Sequence, residues 1–194
     1  MTAIIFAAYL IGSIPFALIL ARRWGSIDLR HTGSGNLGAA NVMRATGITA
    51  GALVAALDMA KGAASVWLAG RLSAEPAAPA VAGLAAIIGH VYPVWLRFRG
   101  GKGVATACGA FAVLAPAAAM PALALFVGVV WLTKYISLGS MLASVALPPL
   151  AYALGSSGSV VAVATAAAAI IVFRHRSNLA RLRAHTERRI GARA

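Results

Sequence analysis

The stretch "VATACGAFAVLAPAAAMPALALFVGVVWL", Val104 to Leu132, decides how this chain is threaded. It is apolar for 29 residues and carries Pro116 and Pro121. A helix needs about 20 residues to cross hydrocarbon. The run is therefore either one steeply tilted helix or two short helices meeting near the prolines, where backbone donors are missing. The choice sets the side of the membrane on which everything after Leu132 lies.

Working outward, the neighbouring apolar runs are Thr2 to Ala21, Gly47 to Gly70, Ala77 to Leu96, Ile136 to Leu154 and Gly158 to Phe173. The chain is 61% hydrophobic and only 11% charged, against roughly 25% charged in soluble domains, and its mean hydropathy is +0.86. These features describe an integral membrane protein. Thr2 to Ala21 has no basic segment before it and is followed by Arg22 and Arg23, so it reads as a retained helix and not as a signal peptide.

Charge then settles the central run. With one crossing between Val104 and Leu132, and Arg22 to Arg44 placed inside, the cytoplasmic loops hold 7 Lys/Arg and the outer side 9. That opposes the positive-inside rule. With two crossings, the inside holds Arg22, Arg23, Arg30, Arg44, Arg97, Arg99, Lys102, Lys134 and the seven arginines from Arg174 to Arg193, and only Arg71 lies outside. The expectation is an all-α bundle of about seven transmembrane helices, N-terminus outside and C-terminus cytoplasmic, forming a single domain over residues 1–194. The formal charge of +13 is then a topology signal, and no nucleic-acid partner is expected. One cysteine, Cys108, excludes an intrachain disulfide.

Three polar segments interrupt the apolar chain, all on the expected inner side. In "HTGSGNLGAANVMRATG" (His31–Gly47), Gly33, Gly35 and Gly38 allow backbone N–H groups to turn toward one point. Ser34 adds a hydroxyl, and Asn41 and Arg44 stand three apart at helical spacing. In "RFRGGKGVATACG" (Arg97–Gly109), Gly100, Gly101 and Gly103 surround Lys102 without the spacing of a nucleotide P-loop. In "FRHRSNLARLRAHTERRIG" (Phe173–Gly191), His175 and Asn178 are three apart, and Leu179 and Leu182 suit the same helix to the membrane surface. Three anion-friendly segments on one side suggest one shared pocket. Within the bilayer, Asp58 and Lys61 at i and i+3 read as a structural ion pair, and His90 reads as a packing histidine.

In order along the chain, "GSGNLGAANVMR", "DMAKG", "GHVYPVWLRFRGGKGVAT", "KYISLGSM" and "HRSNLARL…TE" resemble the motifs of the bacterial acyl-phosphate:glycerol-3-phosphate acyltransferases of the inner membrane. The likeness runs from "GSIPF" in the first helix to Glu187. It implies a seven-helix enzyme that moves a fatty acyl group from acyl phosphate to the 1-hydroxyl of glycerol 3-phosphate. The products are lysophosphatidic acid and phosphate, in the first acylation of phospholipid synthesis. Matched motif by motif, it implies catalytic roles for Ser34, Arg44, Lys102, His175 and Asn178. Substrate or phosphate contacts are expected from Gly35, Asn41, Gly100, Gly101, Gly103 and Ser140 as well, and Asp58, Lys61 and Glu187 are expected to be structural. The pattern departs at Leu37, where many members have proline, at Ala40 in place of threonine, and at His185 in place of glycine.

The implied chemistry suits these residue types. Both reactants are anions, so cations and fixed donors must hold them together while a hydroxyl is brought to the acyl carbon. Either His175 or the substrate's own phosphate would take the hydroxyl proton, and Glu187 would order the tail through nearby arginines. No cofactor and no metal are expected, since the four histidines and the cysteine are scattered. Other implied partners are the lipid bilayer and a soluble acyl-phosphate-forming enzyme. A membrane phosphate or anion transporter would also use basic, glycine-lined openings, but here the polar groups crowd one face. An anionic-lipid or nucleic-acid scaffold would account for the tail alone.

Overall fold

The structure, a computed structural model, describes residues 1–25 and 28–191. Arg193, counted above with the tail, lies outside them. The chain is all-helical among the described residues, with ten α-helices and a short 3-10 turn at Val94–Leu96. Five spans are long and apolar enough to cross a membrane, or six if the last two helices count as one bent span. It is a multi-pass membrane protein.

The chain folds as two compact units, Met1–Leu114 and Ala115–Ala194. In the first, α1 (Thr2–Gly12) and α2 (Phe16–Gly25) are followed by short α3 (Ala39–Thr46), long α4 (Ile48–Leu72), α5 (Ala78–Val91) and α6 (Val104–Leu114). In the second, α7 (Pro116–Thr133), α8 (Ile136–Ala153) and α9 (Gly158–Arg174) are followed by α10 (Arg176–Arg183). The stretch that opened the sequence reading is thus two helices. Ala115 leaves helical geometry at φ −149°, ψ 66°, and Pro116 begins the next helix, where its missing N–H costs nothing. Pro121 continues inside α7. Eleven residues make α6 only about 17 Å long, short of the roughly 30 Å hydrocarbon core.

The first apolar run departs from the continuous helix expected of it. It breaks at Ser13–Pro15, because Pro15 has no N–H to continue the ladder. Ser13 Oγ donates to the Tyr9 carbonyl (2.8 Å), and the Ile14 carbonyl accepts from the Lys61 ammonium (3.0 Å). A lysine inside the bundle thus satisfies a carbonyl that the break exposes.

Small residues bring the helices of the first unit together. A Cβ on Gly62 of α4 would collide with the Thr106 carbonyl of α6, and one on Gly109 of α6 with the Met59 carbonyl of α4. The α1–α5 contact repeats the device, with Gly12 against Ala86 and Gly89 against the Tyr9 carbonyl. Lipid is as apolar as leucine, so helices in a bilayer associate through close packing, and glycine permits it. In the second unit α8 packs on both α7 and α9, and Gly139 lies against Val130 and Phe126 of α7. Outward-facing Trp131, Leu132 and Tyr152 are each at least 70% exposed, as suits side chains that hydrocarbon covers.

Candidate active site

In the first unit, the loop between α2 and α3 is organised by one side chain. Asn41, in the first turn of α3, is 1% exposed. Its Oδ1 accepts from the Ser34 N–H (2.9 Å) and the Ser34 hydroxyl (3.2 Å), and its Nδ2 donates to the carbonyls of Thr32 (3.0 Å) and Leu29 (3.4 Å). Both ends of the amide are thereby committed, so Asn41 shapes the loop where the sequence suggested a phosphate ligand. Gly35, at φ +67°, donates its N–H to Thr32, which makes it a turn residue. Ser34 and Arg44 are exposed. Ahead of the loop, Asp28 is held far below the ordinary carboxylate range by hydrogen bonds from the Arg30 side chain and backbone.

The second segment is built the same way. The Gly100 N–H donates to the Val91 carbonyl (3.0 Å) and the Gly101 N–H to the His90 carbonyl (3.1 Å). A side chain at Gly100 would collide with the His90 carbonyl and Pro93, and one at Gly101 with the His90 ring. These two glycines therefore bring the loop onto the end of α5, to whose carbonyls their N–H groups donate. Gly103 sits at φ +87° immediately before α6, a conformation glycine adopts at no steric cost. Lys102, between these glycines, is half-buried. Leu37 of the first segment and Gly100 and Gly101 of the second line one small cavity together with Asp58, Lys61 and His90.

In the second unit, α9 and α10 meet at a 55° bend. His175 occupies the junction as the C-cap of one and the N-cap of the other, and it is 2% exposed. Its Nδ1 lies 2.8 Å from the Ile171 carbonyl. A carbonyl only accepts, so Nδ1 carries the proton and, in the neutral ring, Nε2 carries the lone pair.

Glu187 returns from beyond α10 to meet Ser137, Asn178 and Arg181. Its Oε1 accepts from Ser137 Oγ (2.8 Å) and Asn178 Nδ2 (2.6 Å), and its Oε2 accepts from Arg181 Nε (2.7 Å). Burial alone would raise this carboxyl, but the three hydrogen bonds and the Arg181 charge outweigh it and leave the pKa below the ordinary value. An ionised carboxylate only accepts, so Glu187 also fixes which end of the Asn178 amide faces it. Ser140 Oγ is turned to the Ile136 carbonyl of its own helix (2.8 Å) and is buried. Sequence reasoning passed over Ser137 and did not single out Arg181. The available signal was Ser137 standing one helical turn before Ser140.

Among the described residues no three of His, Cys, Asp and Glu gather as metal ligands. The chain matches the family model described as glycerol-3-phosphate acyltransferase over residues 2–185. It is 47% identical over 186 residues to the glycerol-3-phosphate acyltransferase of Geobacter sulfurreducens, covering 95% of each chain. Its fold is similar to the crystal structure of PlsY (YgiH), an integral membrane glycerol 3-phosphate acyltransferase, in its glycerol 3-phosphate form. That match has a TM-score of 0.93 and 37% identity, and it covers 98% of this chain and 95% of the other. The lysophosphatidic acid form of PlsY gives 0.90 and 36%, with the same coverage.

Proposed function

The chain belongs to the glycerol-3-phosphate acyltransferase family, and from that premise we propose that it transfers a fatty acyl group from acyl phosphate to the 1-hydroxyl of glycerol 3-phosphate. The hydroxyl oxygen bonds to the acyl carbon, the bond from that carbon to the phosphate oxygen breaks, and lysophosphatidic acid and inorganic phosphate leave. Residues 1–194 act as one integral-membrane enzyme. Seven crossings, with α6 as the short fourth one, put the N-terminus outside, and the polar segments face the cytoplasm of a bacterial inner membrane.

Two anionic reactants repel each other, and the first task of the protein is to offset that. Arg44 offers a planar fork for phosphate oxygens, Lys102 a compact charge and Ser34 a hydroxyl. The glycines and Asn41 hold these side chains in place. The Nε2 lone pair of His175 takes the proton of the attacking hydroxyl, and Asn178, its amide turned by Glu187, holds the glycerol backbone. A positioned base contributes roughly 10²–10⁴-fold. The leaving phosphate already carries negative charge, and the cations that bind it stabilise the charge it gains.

The observation that carries this reading is the match of residues 2–185 to the glycerol-3-phosphate acyltransferase family model, together with 37% identity and a TM-score of 0.93 to the glycerol 3-phosphate form of PlsY. In the first unit the N–H groups of Ser34, Gly35, Gly100 and Gly101 all donate within the loops or to α5, and the Ser34 and Arg44 side chains are exposed. Such loops give the cationic side chains they carry a fixed frame. The test is reconstitution in liposomes with acyl phosphate and radiolabelled glycerol 3-phosphate, in excess chelator. Lysophosphatidic acid and phosphate should form in equal amounts. Phosphate flux across the liposome without any lysophosphatidic acid would point to an anion transporter instead. A soluble enzyme that makes acyl phosphate is the expected supplier of the donor.

A further inference from the structure

Asp58, Lys61 and His90 form a buried cluster that the reaction as described does not use. They are 2%, 5% and 8% exposed. Lys61 Nζ lies 2.8 Å from Asp58 Oδ1 and also donates to the Ile14 carbonyl (3.0 Å) at the break between α1 and α2. His90 Nδ1 faces the same Asp58 oxygen at 3.5 Å. One carboxylate oxygen therefore ties together the α1–α2 break, the middle of α4 and the end of α5. The cavity beside the cluster is about 10 Å³, room for one water at most, so no substrate enters it.

A buried ion pair is weak evidence for stability, because apolar residues of similar volume are often as good or better. Its value lies in fixed geometry. Here the geometry points in one direction. With Asp58 facing its Nδ1, the His90 ring has its Nε2 edge against Gly101, where even a methyl group would not fit. The Gly101 N–H is bonded to the His90 carbonyl. Gly101 is the residue before Lys102, so the ring orientation sets where the lysine's backbone lies.

We propose that Asp58, Lys61 and His90 are positioning residues for the reaction, acting through the His90–Gly101 contact to hold Lys102 where it engages a substrate phosphate. This rests on the phosphate-binding role given to Lys102 above. The charge of Lys102 is supplied by its own side chain, and the cluster supplies its location. A displacement of about 1 Å in a group that orients substrate can cost up to ~10²-fold in rate.

The test is a double-mutant cycle on the full-length protein in proteoliposomes, with KM and kcat measured for both substrates. His90→Ala is made in the native and the Lys102→Arg backgrounds. In the native background His90→Ala should lower kcat/KM about tenfold, mainly by raising KM for a phosphate-bearing substrate, and His90→Asn, which keeps a donor for Asp58, should recover part of the loss. In the Lys102→Arg background the same change should cost less than twofold, since contacting residues couple and independent ones add. Equal losses in both backgrounds, or a fully active His90→Ala protein, would overturn the proposal. Full activity of Lys102→Arg and Lys102→Ala would instead remove the role of Lys102 itself. If His90→Ala does not yield folded protein, Gly101→Ala enters the same cycle from the loop side, and full activity or additivity there overturns the proposal equally.

Discussion

Replacing Glu187 removes the acceptor for three donors at once. Ser137, Asn178 and Arg181 lie 2.6–2.8 Å from its carboxylate oxygens. Ser137 and Asn178 are buried, whereas the Arg181 side chain is 38% exposed and regains water when released. A buried donor left without a partner costs about 1–3 kcal/mol, and an exposed ion pair contributes at most ~1 kcal/mol. With two buried donors released, Glu187→Ala should therefore loosen the segment after α9 by about 2–6 kcal/mol, with Arg181 adding little.

Glu187→Gln separates shape from charge. Its amide nitrogen would face either Arg181 or the Ser137–Asn178 pair, so at least one donor loses its acceptor. It also frees the Asn178 amide to turn over. We expect hydrogen exchange to accelerate in residues 175–190 for both variants and to stay unchanged in α4 and α5. Acyl transfer should fall roughly tenfold or more for Glu187→Ala and less for Glu187→Gln.

The pH dependence follows from the direction of the Glu187 shift. Its folded-state pKa lies below the unfolded one, so the stabilisation is complete above the ordinary glutamate value of about 4.3 and is lost as pH falls through the lower, folded one. Exchange protection of this segment should fade over that acid range in the native protein and show no such step in Glu187→Ala. Native activity and native exchange in Glu187→Ala would refute the reasoning.

Three further outcomes follow from particular contacts. Asn41→Asp places a carboxylate oxygen against the carbonyls of Thr32 and Leu29, so it should raise KM for glycerol 3-phosphate or acyl phosphate at least severalfold, as read by steady-state kinetics. Gly109→Leu sets a side chain against the Met59 carbonyl in the α4–α6 packing and should destabilise the first unit by about 1–3 kcal/mol or more, seen as a lower midpoint of thermal unfolding in detergent. His175→Ala removes the Nε2 lone pair and should lower kcat about 10²-fold or more with KM changed much less; an unaltered kcat would remove the base assignment.

Much of this architecture could be read from residue patterns because a bilayer enforces them. A 29-residue apolar run ending near Lys134, with seven arginines further on, is incompatible with one crossing if basic loops stay inside, and the chain does break at Ala115. The break at Ser13–Pro15 was written in the same alphabet but hidden. An apolar window shows no change there, and the lysine that satisfies the Ile14 carbonyl lies 47 residues away.

The glycines were the least legible. Glycine allows an N–H to reach an anion and equally allows one backbone to touch another, and sequence does not separate the two. Gly100 and Gly101 make close contact with α5, which their spacing around Lys102 did not show. Asn41 was assigned to ligand for a related reason, since its spacing from Arg44 shows a shared helix but not that its amide closes the loop before it. By contrast, the pairing of Glu187 with an arginine was readable from their closeness in sequence, although Ser137, 50 residues away, was not.

The most direct measurement compares donors. Purified protein in proteoliposomes is given radiolabelled glycerol 3-phosphate with acyl phosphate, acyl-CoA or acyl carrier protein thioester, and lysophosphatidic acid is counted. The account predicts product from acyl phosphate alone, lost on Lys102→Ala or His175→Ala. Equal or greater product from either thioester, or none from acyl phosphate, would contradict it.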